Sequence, residues 1–397
     1  MNRPLLNRRL AGMGTTIFAE MSALAVATGS INLGQGFPDT DGPREIAQAA
    51  ADAVLAGRGN QYPPGAGVPE LRQAIAEHQK RFYGLAVDPD TEVLVTAGAT
   101  EAIAAAMLAL LEPGDEVIAF EPYYDSYAAC IAMAGATRIP VTLRPPSFRP
   151  DIDALRDAVT GNTRLLLLNS PHNPTGMVLT RQELSAIAEL AVERDLIVVT
   201  DEVYEHIVFG GVHIPIASLP GMRERTVSIS SAGKTFSFTG WKVGWVTGTA
   251  DLVSAVRTTK QFLTFVSGGP FQYAVATGLG LDDAFYAGLA SDLRRKRDLL
   301  ASGLAQAGFD VFTPQGTYFI TTDISPLSQQ DGVQFCRALP RLCGVVAIPN
   351  AVFYDDAAAG RSQVRFAFCK QDDVLAEAGH RLQRIQAAED HEDRRPT

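Results

Sequence analysis

The chain has 397 residues, 46% hydrophobic and 20% charged, a composition typical of a globular protein large enough for two domains. Its formal net charge of −10 disfavours a general nucleic-acid-binding function, and no apolar run reaches the roughly 18 residues that a membrane-spanning helix requires. The four cysteines form no CxxC pair and the six histidines no metal-spaced cluster. We therefore expect reduced cysteines, a cytoplasmic location and no metal site.

Helical and strand patterns alternate from residue 45 to residue 285. Apolar residues three or four apart predict helices in "EIAQAAADAVLAG", "PELRQAIAEHQKRFYG", "ATEAIAAAMLALLEPGD" and "RQELSAIAELAVERD". Short apolar runs predict strands in "TEVLVTAG", "EVIAFEP", "RLLLLN", "LIVVTDE" and "TVSISSAGK". Such runs are typical of strands buried on both faces of a parallel sheet. The region therefore predicts a large α/β domain built on a doubly wound, mostly parallel sheet.

The pattern changes after residue 285. A long basic amphipathic helix is followed by "FDVFTPQGTYFITTD", another helix, "GVVAIPN", "SQVRFAFCK" and a helix that opens at Asp372. These elements predict a smaller α+β domain. The N-terminal arm, residues 1–44, has no partner of its own, so we expect it to pack on this second domain and on the cleft. The smaller domain then comprises residues 1–44 and 286–397.

The run Gly233-Lys234-Thr235 raises the alternative of a nucleotide-binding phosphate loop. That loop requires Gly-x4-Gly-Lys-Ser/Thr, but Ser228 stands at the position of the first glycine. The acidic strand "LIVVTDE" precedes the run instead of following it, and "FSFTGWKVGW" does not have the pattern of a helix. These departures disfavour ATP binding.

Ligands of an open α/β sheet bind outside the carboxyl ends of its strands. The residues that follow the predicted strands include Gly98, Ala99, Thr100, Tyr124, Asn173, Asp201, Tyr204, Ser231 and Lys234. Each has an ordinary explanation when taken alone; Asp201 could cap a helix, for example. Together they supply an anion-binding turn, an aromatic ring, an amide, a carboxylate, a phenol and a lysine.

This set suits pyridoxal 5'-phosphate. The cofactor's aldehyde requires a lysine amine, and its ring nitrogen requires a carboxylate that keeps it protonated. Its phenolic oxygen accepts hydrogen bonds from an amide and a phenol. Its phosphate suits a helix N-terminus, and its flat ring suits an aromatic face.

The chain resembles the class I aminotransferases of the fold-type I pyridoxal-phosphate enzymes. The resemblance extends from "INLGQGFPD" to "VRFAFCK" and includes "NQYPPGAG", "PHNPTG", "DEVYEHIVF" and "SSAGKTFSFTGWKVGW". Within that family the chain is similar to N-succinyldiaminopimelate aminotransferases and to kynurenine/glutamine and methionine aminotransferases. The segments "TIFAEMSALA", "GATEAIAAA" and "DEVYEHIVF" favour the first group.

The resemblance implies a role for each matching position around the cofactor. Lys234 would form the covalent link to the cofactor and move the proton at the substrate Cα. Asp201 would pair with the ring nitrogen, Asn173 and Tyr204 would hold the phenolic oxygen, and Tyr124 would stack on the ring.

The resemblance also implies a phosphate site and a homodimer. The residues that would bind the phosphate are Gly98, Ala99, Thr100, Ser231 and Lys242. Tyr62, in "NQYPP", would reach the phosphate in the site of the neighbouring subunit, so a homodimer is expected.

For the substrate, the resemblance implies that Arg365 holds the α-carboxylate through a bidentate fork, supported by the backbone of Gly36 and by Asn173. Phe18 stands where the kynurenine enzymes carry a tryptophan, and residues 267–270 replace a bulkier turn. Both departures predict room for an extended substrate, N-succinyl-LL-diaminopimelate with 2-oxoglutarate or glutamate.

Three alternatives remain open from the sequence. The first is a broad-specificity kynurenine/glutamine/methionine aminotransferase, and the second is a C–S β-lyase side activity that begins with the same chemistry. A non-catalytic, cofactor-sensing regulator is disfavoured because the N-terminal arm is too short to hold a DNA-binding helix-turn-helix.

Overall fold

The computed structural model describes residues 5–11, 13–14 and 16–385. Residues 386–397, which the sequence analysis assigned to the smaller domain, lie outside this range. No helix of the described part of the chain combines the length and the apolar character needed to cross a membrane.

Thirteen strands are present among the described residues. In chain order they are Ile31–Asn32 (β1), Val93–Thr96 (β2), Glu116–Glu121 (β3), Thr137–Thr142 (β4), Thr163–Asn169 (β5), Ile197–Asp201 (β6), Thr226–Ser231 (β7), Gly244–Thr247 (β8), Asp310–Phe312 (β9), Phe319–Asp323 (β10), Val345–Val346 (β11), Ile348–Pro349 (β12) and Gln363–Ala367 (β13).

The same residues contain thirteen α-helices. They are Ile17–Thr28 (α1), Arg44–Leu55 (α2), Pro69–Tyr83 (α3), Gly98–Leu110 (α4), Asp125–Ala134 (α5), Ile152–Asp157 (α6), Arg181–Glu193 (α7), Ala232–Thr235 (α8), Ala250–Lys260 (α9), Gly269–Leu279 (α10), Asp283–Gln306 (α11), Gly332–Cys343 (α12) and Asp372–Leu382 (α13).

Local signals explain several helix ends. Helix α3 begins with Pro69, which needs no N–H partner there, and ends at Gly84, whose φ of 69° suits a residue without a Cβ. Helix α7 begins with a capping box in which the Thr180 side chain accepts from the Glu183 N–H and Glu183 returns the bond.

The large sheet has seven strands in the order β2-β8-β7-β6-β5-β3-β4. The five strands from β7 to β4 pair in parallel, and β8 runs antiparallel to both of its neighbours. The prediction of a doubly wound, mostly parallel α/β fold is therefore confirmed. Strand β4 was not predicted: it is an edge strand that contains Pro140, a residue that a sheet tolerates at its edge.

Both faces of this sheet are covered. Successive residues of β3 alternate between two apolar clusters, with Val117 and Ala119 in one and Ile118 and Phe120 in the other. Strands β5 and β6 alternate in the same way. This double burial explains why the strands appear in the sequence as continuous apolar runs.

A smaller sheet of four strands, β12-β13-β10-β9, is antiparallel and packs with α11 to α13. The N-terminal arm joins this part of the molecule. Ile31 and Asn32 of β1 pair in parallel with Val345 and Val346 of β11, and Met21 of α1 lies in the same apolar core. The chain thus combines an α/β layer structure with a smaller α+β unit.

Candidate active site

A cavity of about 370 Å³ opens at the carboxyl ends of the parallel strands, between the large sheet, the N-terminal arm and β13. Thirteen of the residues singled out in the sequence line it: Phe18, Gly36, Gly98, Ala99, Thr100, Tyr124, Asn173, Asp201, Tyr204, Ser231, Lys234, Lys242 and Arg365. The nine residues that follow predicted strands share this cavity, as expected for the sheet topology, with four residues that the family resemblance implied, Phe18, Gly36, Lys242 and Arg365.

Lys234 lies in the short helix α8, directly after β7. Its amine is 3.4 Å from the carbonyl oxygen of Gly36 and 5.8 Å from the ring centroid of Tyr204. Burial lowers the pKa of Lys234 to about 8, against the opposing effects of Cys369 and Asp201. With this pKa about a tenth of the lysine is neutral at pH 7, and the neutral amine is the form that acts as a nucleophile.

Asp201 is the last residue of β6, and its carboxylate is buried at the base of the cavity. The Tyr127 hydroxyl donates to Oδ2 at 2.6 Å and the Val203 N–H donates to Oδ1 at 3.3 Å. Burial raises the pKa of Asp201, and the Tyr127 hydrogen bond opposes that rise. Lys234 lowers the pKa of Asp201 through its charge, but no cation among residues 16–385 forms an ion pair with this carboxylate. The site therefore suits a cationic N–H group on a ligand.

The start of α4 forms a cradle whose geometry suits an anion. Gly98 has a φ of 79°, and a Cβ there would lie 3.2 Å from Nζ of Lys242. Gly244 on β8 packs so tightly that a Cβ on it would lie 2.6 Å from the Gly98 carbonyl carbon. The N-terminus of a 13-residue helix, a lysine and nearby hydroxyls together suit a phosphate group.

Arg365, on β13, is only 1% exposed. Its Nη1 donates to Oδ1 of Asn173 at 2.9 Å and its Nη2 donates to the Gly34 carbonyl at 3.1 Å, while its Nε has no hydrogen-bond partner among the described residues. Burial lowers the pKa of Arg365 to about 10. A buried guanidinium with an unused donor suits a carboxylate ligand.

Two aromatic residues complete the cavity. Tyr124 stands just before α5, and burial raises its pKa to about 12. Phe18 of α1 packs against Phe353, with ring centroids 5.8 Å apart, and lies 5.2 Å from the Arg365 guanidinium carbon. The arm thus contributes an apolar wall beside the buried cation.

Tyr62 is the exception among the sequence-derived residues. It is 82% exposed and does not line the cavity that the described residues form. Its ring packs edge-on against Phe265, with ring centroids 5.6 Å apart. Its role in the site of a neighbouring subunit stays a prediction.

The structure adds residues that the sequence analysis did not select. Tyr127 lies three residues after Tyr124 on the same helix face, a spacing that could have identified it once α5 was recognised. Asn169, the last residue of β5, donates to the Asp201 carbonyl and accepts from the Asn173 N–H. Gln35, which lines the cavity, donates to Ser22 Oγ at 2.6 Å and so joins two parts of the N-terminal arm.

A second polar cluster lies outside the cavity. His78, Glu205 and His206 bring their side chains within 4.8 Å of one another, although the two histidines are 128 residues apart in sequence. The histidine Nε2 atoms are 2.7 Å apart, and Glu205 accepts from the hydroxyls of Tyr83 and Ser230. Burial lowers the pKa of both histidines and raises that of Glu205 to about 7. The two histidines thus bond to each other, whereas the hydrogen bonds of Glu205 go to Tyr83 and Ser230.

The cavity, the sheet order and the sequence together define a class of enzyme. The sequence profile of the family "Aminotransferase class I and II" matches residues 28–382, and the chain belongs to that family. It is an aminotransferase, and members of its family depend on pyridoxal phosphate. The predicted family is thereby confirmed.

Two relatives and one solved structure match the chain over nearly its whole length. The probable N-succinyldiaminopimelate aminotransferase DapC of Mycobacterium tuberculosis is 56% identical, over 94% of this chain and 97% of its own. The methionine aminotransferase of Escherichia coli is 42% identical, over 97% of this chain and 100% of its own. The solved structure of N-succinyldiaminopimelate aminotransferase from Mycobacterium tuberculosis superposes with a TM-score of 0.94 at 55% identity, covering 96% of this chain and all of that one.

Proposed function

We propose that this chain binds pyridoxal 5'-phosphate in the cavity and catalyses transamination between N-succinyl-LL-diaminopimelate and the pair 2-oxoglutarate/glutamate. The observation that carries the cofactor assignment is the donor set: a buried lysine of pKa about 8, a buried carboxylate without a paired cation and a glycine-lined helix start share one cavity. When bound, the cofactor supplies an electron-accepting ring that stabilises negative charge on the substrate Cα.

Lys234 carries out the proton transfer in this proposal. Its amine would anchor the cofactor covalently and, when free, would take the proton from the substrate Cα. Burial and the lowered pKa keep this amine able to accept a proton near neutral pH.

Asp201 and Arg365 divide the electrostatic work. Asp201 would hold its negative charge against the ring nitrogen, and the Tyr127 hydroxyl supports that charge through its hydrogen bond to Oδ2. Arg365 would bind the substrate α-carboxylate, with Asn173 and the backbone of Gly36 beside it. Tyr204 and Asn173 would orient the phenolic oxygen, and Tyr124 would cover the ring. The residues that would hold the phosphate are Gly98, Ala99, Thr100, Ser231 and Lys242.

The cofactor assignment is tested by chemical trapping. Borohydride reduction of the holoenzyme is expected to label Lys234 in a peptide map, and Lys234→Ala is expected to bind cofactor only without a covalent bond. Lys242, which lines the same cavity, is the internal control. Label on Lys242 or on any other lysine would refute the assignment.

Two arguments support the succinylated donor. The higher identity to the probable N-succinyldiaminopimelate enzyme, 56% against 42% for the methionine enzyme, favours it. Phe18 also leaves more space beside Arg365 than an indole would. Residues 267–270 support the succinylated donor less than the sequence suggested. A Cβ on Gly269 would lie 2.4 Å from the Gly59 carbonyl oxygen, so close packing alone explains the glycine at this position.

A donor panel decides the substrate. With 2-oxoglutarate as the common acceptor, kcat/KM for the succinylated donor is expected to exceed that for methionine, glutamine and kynurenine by at least about tenfold, or roughly 1.4 kcal/mol. Equal or better rates with any of the three would assign the chain to the broad-specificity enzymes. Ammonia and pyruvate formed without an acceptor would reveal β-lyase activity.

We also propose a homodimer in which Tyr62 completes the neighbouring site, a large domain at residues 45–285 and a cytoplasmic location. The homodimer is supported by three exposed aromatic residues that lie near one another in sequence or space. Tyr62, Phe262 and Phe265 are 82%, 83% and 47% exposed, which favours a surface that a second copy of the chain covers. The cysteines are free and buried, as suits a reducing compartment. Sedimentation, limited proteolysis and cell fractionation test these three proposals in turn.

A further inference from the structure

Lys260, the last residue of α9, is a buried lysine outside the cavity. It is 1% exposed, and its Nζ donates to the carbonyl oxygens of Gly65 at 3.0 Å and Phe265 at 2.6 Å. Lysine is seldom buried so completely, because removing an ammonium group from water is costly. The two carbonyl oxygens that the ammonium group binds therefore indicate the role of Lys260.

The two carbonyl groups belong to the two segments that carry the exposed aromatic pair. Gly65 lies three residues after Tyr62, and Phe265 is itself the ring that packs against Tyr62. Phe265 has a φ of 66°, a left-handed conformation that costs free energy for a residue with a Cβ. The bond from Lys260 to the Phe265 carbonyl helps to hold this strained turn in place.

The same segment is tied to the phosphate-binding helix of its own subunit. The Thr264 hydroxyl donates to Oε1 of Glu101, and Oε2 of Glu101 accepts from the Ala97 N–H at 2.6 Å, just before α4. A continuous set of hydrogen bonds therefore runs from the start of α4, through Thr264 and the chain to Phe265, to Lys260 and the loop of Tyr62.

We propose that Lys260 is a positioning residue that fixes Tyr62 and Phe265 in the orientation in which they enter the cofactor site of a second copy of this chain. The inference rests on the proposed function, in which Tyr62 binds the phosphate of the neighbouring subunit. Lys260 does not line the cavity and acts only through the segments that it joins.

The test uses the full-length holoenzyme and measures the cofactor dissociation constant by absorption titration and the dimer dissociation constant by sedimentation. Lys260→Met removes the ammonium group at similar length. The matched control is Lys296→Met, since Lys296 is also largely buried but pairs with Asp292 on α11. Lys260→Met is expected to weaken cofactor binding about tenfold, as loss of a hydrogen bond to a charged group would, and Lys296→Met to leave it unchanged.

A double-mutant cycle separates positioning from general destabilisation. If Lys260 acts through Tyr62, Tyr62→Phe alone and Tyr62→Phe with Lys260→Met will weaken cofactor binding by the same factor. Factors that multiply, or a Lys260→Met enzyme with wild-type affinity, would overturn the inference. Tyr62→Phe with wild-type affinity would instead refute the proposed role of Tyr62 itself.

A milder variant covers the case in which Lys260→Met does not fold. Lys260→Gln keeps a hydrogen-bond donor but removes the charge and shortens the reach to the two carbonyl oxygens. It is expected to weaken cofactor binding less than Lys260→Met does and again to be non-additive with Tyr62→Phe. Independent effects of Lys260→Gln and Tyr62→Phe would contradict the inference.

Discussion

Burial shifts the pKa values of Lys234, Asp201 and Arg365, and it results from the fold and not from the residues adjacent in sequence. It lowers the pKa of Lys234 to about 8 and that of Arg365 to about 10, and it raises the pKa of Asp201. Each shift disfavours the charged form, so each of the three groups gains free energy from a ligand of opposite charge. An amino acid with its α-carboxylate and a protonated ring nitrogen are ligands of that kind.

Tyr127→Phe tests how Asp201 is held. The substitution removes the 2.6 Å hydrogen bond to Oδ2, so less of the carboxylate is ionised and cofactor binding is expected to weaken about ten- to hundredfold, or about 1.5–3 kcal/mol. Equilibrium cofactor titration measures it. Tyr354→Phe is the control, because it removes a buried hydroxyl that bonds to Gln363 away from the cavity. Equal effects of the two substitutions would show that Tyr127 has no special relation to Asp201.

The pKa of Lys234 predicts the pH dependence of covalent cofactor capture by the apoenzyme. Only the neutral amine reacts, so the rate is expected to rise about tenfold between pH 7 and pH 9 and then to level off. An unperturbed lysine would instead gain almost tenfold per pH unit over the whole interval. Stopped-flow absorption, with Nα-acetyl-lysine measured in parallel, distinguishes the two profiles.

At the residue scale, the sequence revealed the groups that directly follow strands, because their positions depend only on strand order. Lys234 and Asp201 are examples. It did not reveal Tyr127, whose importance depends on the orientation of α5 relative to β6, or the pairing of His78 with His206 across 128 residues. Such contacts depend on packing between elements, which periodicity does not encode.

Among the elements, the contact between β8 and the start of α4 controls the shape of the anion-binding cradle. The two meet at Gly244 and Gly98, where the backbones are too close for a side chain on Gly244. Strand β8 was not predicted, and the sequence indicated only that "FSFTGWKVGW" lacks the pattern of a helix. The antiparallel insertion of β8 between β2 and β7 follows from pairing and not from composition.

Gly244→Ala is expected to displace Gly98 and Ala99 and to weaken cofactor binding about tenfold, within the 1–3 kcal/mol that overpacking usually costs. Gly288→Ala is the matched control: it lies on the exposed side of α11 with free space around it, and it should stabilise the protein by about 0.5–1 kcal/mol. Cofactor titration and thermal unfolding measure the two effects. Unchanged affinity in Gly244→Ala would mean that the cradle adapts.

For the whole molecule, the exposed side chains of Tyr62, Phe262 and Phe265 predict that two copies of the chain associate. Phe262→Glu places a charge where a contact between copies would bury it, so the dimer dissociation constant is expected to rise at least about tenfold. Val212→Glu changes an equally apolar residue, 75% exposed, on another loop and serves as the control. A wild-type dimer in Phe262→Glu would remove this surface from the proposed interface.

The pairing of distant strands also dictates the order in which the molecule can be completed as it leaves the ribosome. Strand β2 bonds to β8, so Val93 has no ladder partner until Thr247 has been synthesised. Strand β1 must wait still longer, because Ile31 pairs with Val345. Arg365 bonds to Gly34 only after that. A nascent chain therefore carries an unpaired N-terminal arm through most of its translation, and the binding cleft is closed as one of the last steps of folding.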